Sequence, residues 1–262
     1  MPTAAPSVSP ALRPYLEAQD DLIAAFVRRC GPMFAARWDH VIGLYRQGHA
    51  GRLFVPNPMT MDLARLLRQF LLESLAAAAT IAGDSVKGYG LRQYIAAESL
   101  PTSLVYAVEK HARTLAHHED GDLAAQAMAI IARGEDRAAT LERMGRAGKA
   151  WQTARLPAIA TTESTKAGNT GIVFTTKINP AIRYLRHMSR MDKRTTFTCR
   201  MRHLKVLPVD GRLLQFNSPP LHHSCRSFLV PLPPGEKPSR ADLEYPNDDL
   251  SRAADGFGQL LI

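Results

Sequence analysis

Three cysteines in 262 residues are too few for a disulfide framework, and their odd number points to a reducing compartment. Synthesis in a cytoplasm follows. No long apolar run is present either. The most apolar stretch, Leu66 to Ala82, is broken by Arg68, Glu73 and Ser74, whereas a membrane span needs about 20 largely uncharged residues. That stretch therefore reads as a buried helix, and no membrane partner is expected. Met1 to Pro14 is small and proline-rich without an apolar segment, so nothing in it reads as a secretory signal. There is no phosphate loop, no nucleotide fingerprint, no pair of metal-binding carboxylates, no internal repeat and no sustained heptad. The common nucleotide-dependent enzymes, solenoids and long coiled coils are thereby set aside.

What is present is an ordinary globular balance, 45% hydrophobic and 22% charged, with an excess of cations. Met1 to Ala154 holds 17 basic and 15 acidic side chains, while Arg155 to Ile262 holds 16 and 9. The excess is densest from Lys177 to Lys205, nine basic residues against Asp192 alone. Such a run attracts polyanions, of which nucleic acid is the commonest; the plainer reading is a solvated basic face. The candidate DNA-contacting residues are Lys177, Arg183, Arg186, Arg190, Lys193, Arg194, Arg200, Arg202 and Lys205.

Up to about residue 153 the pattern is helical. Leu22, Phe26, Phe34, Trp38, Val41, Ile42 and Tyr45 recur near helical spacing, and Gly31-Pro32 is expected to cut that segment into two helices. Asn57-Pro58 offers an N-cap and a first-turn proline for the next helix, which stops near Gly83. Gly88-Tyr89-Gly90 reads as a loop. A helix after Pro101 is expected to close at His117-His118-Glu119-Asp120-Gly121, with the two histidines near its dipole. Leu123 to Ala132 and Ala138 to Trp151 follow, separated by Gly134. Leu156 to Thr176 is a further helix, rich enough in Thr and Gly to pack closely.

Strand signals begin after Asn179-Pro180. Ile182 to Met188 alternates loosely, Val206 to Val209 and Leu213 to Phe216 flank the hairpin dipeptide Asp210-Gly211, and Ser227 to Leu232 closes the set. The remaining polar residues end in Leu260, Leu261 and Ile262, for which fraying is the default. The fold class is thus α+β: a mainly helical N-terminal region, then a small C-terminal α+β module with short antiparallel strands. The expected divisions are a flexible segment 1–14, a helical domain 15–153, the module 154–234 and a polar tail 235–262.

Cys199, His203, His222 and Cys225 are the candidate metal ligands. His222 and Cys225 have the H-x-x-C spacing of half a zinc site. Arg202, three after Cys199, cannot ligate, but His203 shares a helical face with Cys199 and could substitute. The alternative is that the cysteines are small buried hydrophobes and His222 bonds to backbone. A Cys-His nucleophile drawn from the same set has no evident orienting group. Asp192 beside Lys193 and Arg194 suggests a local ion pair, and Glu163 a buried or capping carboxylate.

Four features occur in an order that resembles the Mu F-type head morphogenesis module of tailed-phage minor head proteins. Ile159-Ala160-Thr161-Thr162-Glu163 leads to Ala167 and Asn169; Asp192-Lys193-Arg194-Thr195 leads to Cys199; Pro208-Val209-Asp210-Gly211 follows; and Pro219-Pro220-Leu221-His222-His223-Ser224-Cys225-Arg226 ends the set. The resemblance covers Arg155 to Leu232. Its motif residues here are Glu163, Asn169, Asp192, Arg194, Thr195, Cys199, Asp210, Gly211, Pro219, Pro220, His222, Cys225 and Arg226.

The resemblance implies a structural minor head protein, not an enzyme, acting near the portal and lying inside the virion after assembly in the host cytoplasm. Its implied partners are portal, capsid or scaffold proteins and, non-specifically, double-stranded DNA. No cofactor is implied beyond zinc, and Arg202 and Ser227 stand where many members carry additional cysteines. The alternative function is a metal- or Cys/His-dependent hydrolase or toxin-like enzyme built on Cys199, His222 and Cys225.

Overall fold

The computed structural model describes residues 13–52, 58–85, 100–244 and 260–261. Long helices come first: α1 (Arg13–Arg46), α2 (Pro58–Ser85), α3 (Thr102–Ile131), α4 (Arg137–Ala150) and α5 (Leu156–Lys177). The α+β module then follows as β1 (Tyr184–Ser189), α6 (Phe197–Arg202), β2 (Val206–Pro208), α7 (Arg212–Asn217) and β3 (Ser227–Pro231), with a single-turn α8 (Arg240–Leu243) beyond it. The α+β class read from the pattern is the one observed. The Gly88–Gly90 loop and the Asn57 cap lie outside the described residues, although α2 does begin at Pro58.

Two expected helix breaks are absent. Pro32 sits inside an uninterrupted α1. Phe26, Cys30, Phe34, Trp38 and Val41, spaced three or four residues apart, are all buried on one face. Burying that stripe on both sides of Pro32 outweighs the roughly 3 kcal/mol an interior proline costs. Likewise α3 runs through His117 to Gly121. Its acids are engaged there: Asp120 takes the buried Arg37 at 2.7 Å, and Glu119 takes Arg155 at 3.1 Å. His118 faces Asp122 in mid-helix at 3.5 Å, away from any helix end. The break at Gly134 is real, with φ of +68°.

α4 and α5 join through a wide π turn, Trp151–Arg155. It falls directly before Pro157, whose missing N–H cannot bond to the carbonyl four residues back. Trp151 packs on Phe34 with ring centroids 5.5 Å apart, and the Arg155 guanidinium lies 5.6 Å from its ring.

α5 is buried along most of its length and has its most extensive contact with α2. Small residues allow the approach: a Cβ on Gly171 would stand 2.3 Å from the Leu75 carbonyl oxygen. The close packing expected from its Thr and Gly content is therefore present.

The sheet has the antiparallel order β2-β1-β3, with Leu185 opposite Leu207 and His187 opposite Leu229. Leu185, His187 and Ser189 of β1 point inward. Tyr15, Ala78, Ile172 and Val173 from α1, α2 and α5 cover the Leu185 end together with Leu207 and Leu229.

The hairpin expected at Asp210-Gly211 does not form. Gly211 has φ −82°, ψ 143°, not the positive φ of a tight hairpin turn, and it leads into α7. Leu213 to Phe216 is thus helical, with Leu214 and Asn217 buried. Fraying is likewise not seen at Leu260 and Leu261, which pack against the two main cores, with the Leu261 amide donating to Thr170 Oγ1 at 3.1 Å; Ile262 lies outside the described residues.

Candidate functional site

Hydroxyls and amides on α5 fasten the module to the helices. Asn169, fully buried, lies against β3, an edge strand whose outer backbone groups need partners. Its Oδ1 accepts from Leu229 N at 2.7 Å and its Nδ2 donates to Ser227 O at 3.3 Å. Thr165 Oγ1 donates to Cys225 O at 2.6 Å, and Thr162 Oγ1 accepts from Ser224 N at 2.8 Å, where Ser224 is left-handed (φ 56°). Glu163 is buried and meets His111 Nε2 of α3 at 2.6 Å. Glu163 and Asn169, six residues apart and so on different faces of the helix, thus fix α5 to α3 and to β3 respectively.

The loop from Arg190 to Thr196 is shaped by Asp192. Its carboxylate receives Arg194 N at 2.8 Å and both Arg226 nitrogens at 2.7 and 2.6 Å. Arg200 closes the loop by donating to the carbonyls of Thr195 and Asp192. The Arg226 bond, then the Arg194 amide and Thr195 hydroxyl, hold the Asp192 carboxyl well below its ordinary range against the opposing effect of burial. Its ion pair is therefore with Arg226, 34 residues away, and not with Lys193 or Arg194.

Beneath this loop Cys199, His222 and Cys225 converge, their ligand atoms all within 4.8 Å of one another. Cys199 Sγ is 3.7 Å from Cys225 Sγ and 3.1 Å from His222 Nε2. The Cys225 thiol, then the neighbouring His187 and His222 rings, push the Cys199 thiol far down, while burial pushes Cys225 up. Cys199 is thus the favoured thiolate, receiving the Cys225 S–H. Burial opposes charge on His222, but the Cys199 sulfur and the His223 carbonyl outweigh it and raise its pKa. The proline pair ahead of His222, Pro219-Pro220, is cis.

His203 does not join the group. α6 ends at Arg202 and His203 leaves helical geometry (φ −56°, ψ 129°), so the i, i+4 face is lost. Its Nδ1 accepts from Ser189 N at 3.1 Å instead. A second histidine beside Cys199, besides His222, is His187, which sequence reading missed. Its signal was its parity with Leu185, since alternate residues of a strand share a face.

The basic run is not one patch. Arg202 is 2% exposed and gives both Nε and Nη2 to Asn217 Oδ1, so it is not available to DNA. Arg186 pairs with Glu236, Arg190 with Asp20, and Lys205 Nζ donates to Ala241 O. Lys177, Arg183, Lys193, Arg194 and Arg200 are exposed. β1 separates Arg183 from Lys193 and Arg194 by about 17 Å of extended chain. Lys177 lies with Asp210 and Gly211 around a surface pocket at the Arg183 end, bordered by Phe216 and Leu260.

The module is held by buried polar clamps and carries a Cys/His cluster beneath an exposed basic loop. Residues 121–230, from within α3 to β3, match the family described as Phage Mu protein F like protein, so this region of the chain is similar to Mu F-like phage proteins. The match begins earlier than the motif series, and Asp122 of α3, within it, is tied to Arg155. No curated protein and no solved structure matches the chain. No helix among the described residues is long and apolar enough to cross a membrane.

Proposed function

We propose that this chain is a minor head protein of a tailed phage or prophage, acting in head morphogenesis near the portal, with its C-terminal module against packaged DNA. The observation that carries the DNA contact is the Asp192-centred loop, which presents Lys193 and Arg194 to solvent on a rigid frame beside Arg200. Phosphate neutralisation by such a surface is independent of sequence and releases counterions. The α1–α3 bundle leaves Met61 and Tyr106 exposed, apolar points suited to docking on portal, capsid or scaffold protein.

The competing reading, a Cys/His hydrolase, draws on the 3.1 Å contact between Cys199 and His222. Cys199 is only 2% exposed beneath a water-sized opening, which leaves no approach for a substrate carbonyl. Mass spectrometry of nuclease-treated, gradient-purified heads tests the proposal. Peptides of this chain should co-purify with heads at low copy; their absence from heads while the chain is abundant in the lysate contradicts it.

A further inference from the structure

We propose that Cys199, His222 and Cys225 form a binding site for a thiophilic divalent cation of the zinc class, with two thiolates, one imidazole and a fourth position open to solvent. Tetrahedral zinc, with bonds of about 2.3 Å to sulfur and 2.0–2.1 Å to nitrogen, sets its ligands about 3.8 Å apart for S···S and about 3.5 Å for S···N. The two sulfurs already stand 3.7 Å apart, far beyond the roughly 2.05 Å of a disulfide, and the 3.1 Å sulfur–nitrogen contact needs to open only slightly.

The imidazole is correctly poised. His222 Nδ1 donates to the His223 carbonyl oxygen at 2.8 Å, which leaves the lone pair on Nε2, where the Thr196 hydroxyl stands at 2.9 Å and Cys199 Sγ at 3.1 Å. Orientation of a ligand by a backbone carbonyl is a usual outer-shell device in zinc sites. Both cysteine backbones are anchored from outside the cluster, Cys199 O by Ser189 Oγ at 2.9 Å and Cys225 O by Thr165 Oγ1 at 2.6 Å.

A second observation comes from His187. It is fully buried beside Cys199, and both its ring nitrogens lack a hydrogen-bond partner. A Cys199 thiolate, the form that metal binding fixes, is an acceptor beside such an N–H. The fourth position faces the water-sized opening between Thr196, Arg194 and Arg226. Two thiolates cancel the ion's double charge, so occupancy adds no positive charge to an already basic surface.

The site ties α6 of the module to the loop that α5 anchors, and it does not depend on DNA contact. The test is elemental analysis of the full chain purified without chelator, followed by cobalt(II) titration of the metal-stripped protein. The expected result is about one zinc per chain and, with cobalt, a thiolate charge-transfer band with intense tetrahedral d–d bands. His222→Ala and Cys225→Ser should each lower bound zinc at least about tenfold, while Cys30→Ser and His203→Ala retain it. Metal-free protein whose cobalt spectrum shows only weak hydrated-ion bands overturns the proposal, as does undiminished zinc in both ligand variants. If Cys225→Ser does not fold, the wild-type cobalt spectrum and His222→Ala, at a half-buried position, still decide.

Discussion

The helical bundle and the sheet module are held together by different physics. The bundle is stitched by apolar stripes at helical spacing, with Phe34, Trp38, Leu67, Leu71 and Leu75 in one continuous core. Near the basic loop, the module's core shrinks to Cys199, Leu221 and Cys225, and buried polar groups take over: Asn169, Ser189, Arg202, Asn217 and Ser227. Periodic apolar packing tolerates local insults such as Pro32. A polar frame does not, because removing one partner strands another in a low-dielectric interior. The rigidity this gives suits a surface that must present charge, and the module carries most of the chain's net positive charge.

α5 belongs to both regions, so it is where the contrast is most easily broken. Gly171→Ala pushes a methyl into the Leu75 carbonyl and should destabilise the whole chain by about 3 kcal/mol or more, read as a fall in the urea midpoint. Gly121→Ala in α3, where a Cβ meets nothing within 4 Å, should instead stabilise by about 0.5–1 kcal/mol. Equal effects would show that the α2–α5 approach is not tight.

Asn169→Ala sharpens the comparison from the polar side. It strands Leu229 N–H and Ser227 C=O at the sheet edge, and a loss of about 3 kcal/mol is expected. Amide exchange should rise in β3 before it rises in α2 and α3. Uniform loosening of both regions would argue against a distinct polar frame.

The Asp192–Arg226 pair gives the smaller effect, because Asp192 is 45% exposed. Its folded pKa lies below its ordinary value of 3.8, so its contribution is fully present above that value and is lost as pH falls through the folded pKa. Solvent screening limits it to about 1 kcal/mol or less. Asp192→Asn should flatten the stability difference between neutral pH and about pH 3, and an unchanged pH profile would remove the pair from the frame.

The same contrast explains what could be read from the sequence. Helix positions followed from apolar spacing, and the small residues of α5 announced a close approach. The α+β class and the phage Mu F-like relationship were also legible, the latter from the order of Glu163, Asn169, Asp192, Cys199 and His222. The breaks that Gly31-Pro32 and His117–Gly121 suggest do not form, because tertiary burial and the Arg37 and Arg155 ion pairs override local signals. Asp210-Gly211 suggested a hairpin by composition, but the φ it adopts depends on Leu214 and Asn217 finding cover in α7. Spacing along a helix singles out His203, whereas the partnership of His187 with Cys199 across a strand and a loop is not visible in the sequence. Charge counting marked the basic run but could not reveal that Arg202 is spent on Asn217.

The central claim is that the module's basic loop, and not the helical bundle, meets DNA. The direct measurement is the salt dependence of binding to double-stranded DNA of unrelated sequences, for wild type, for Lys193→Gln with Arg194→Gln, and for Arg65→Gln in α2 as a control. The account predicts equal affinity for all sequences and a linear fall of log affinity with log salt. It further predicts a slope reduced by about two in the double variant and unchanged in the control. Binding that ignores salt, or a double variant indistinguishable from wild type, contradicts it.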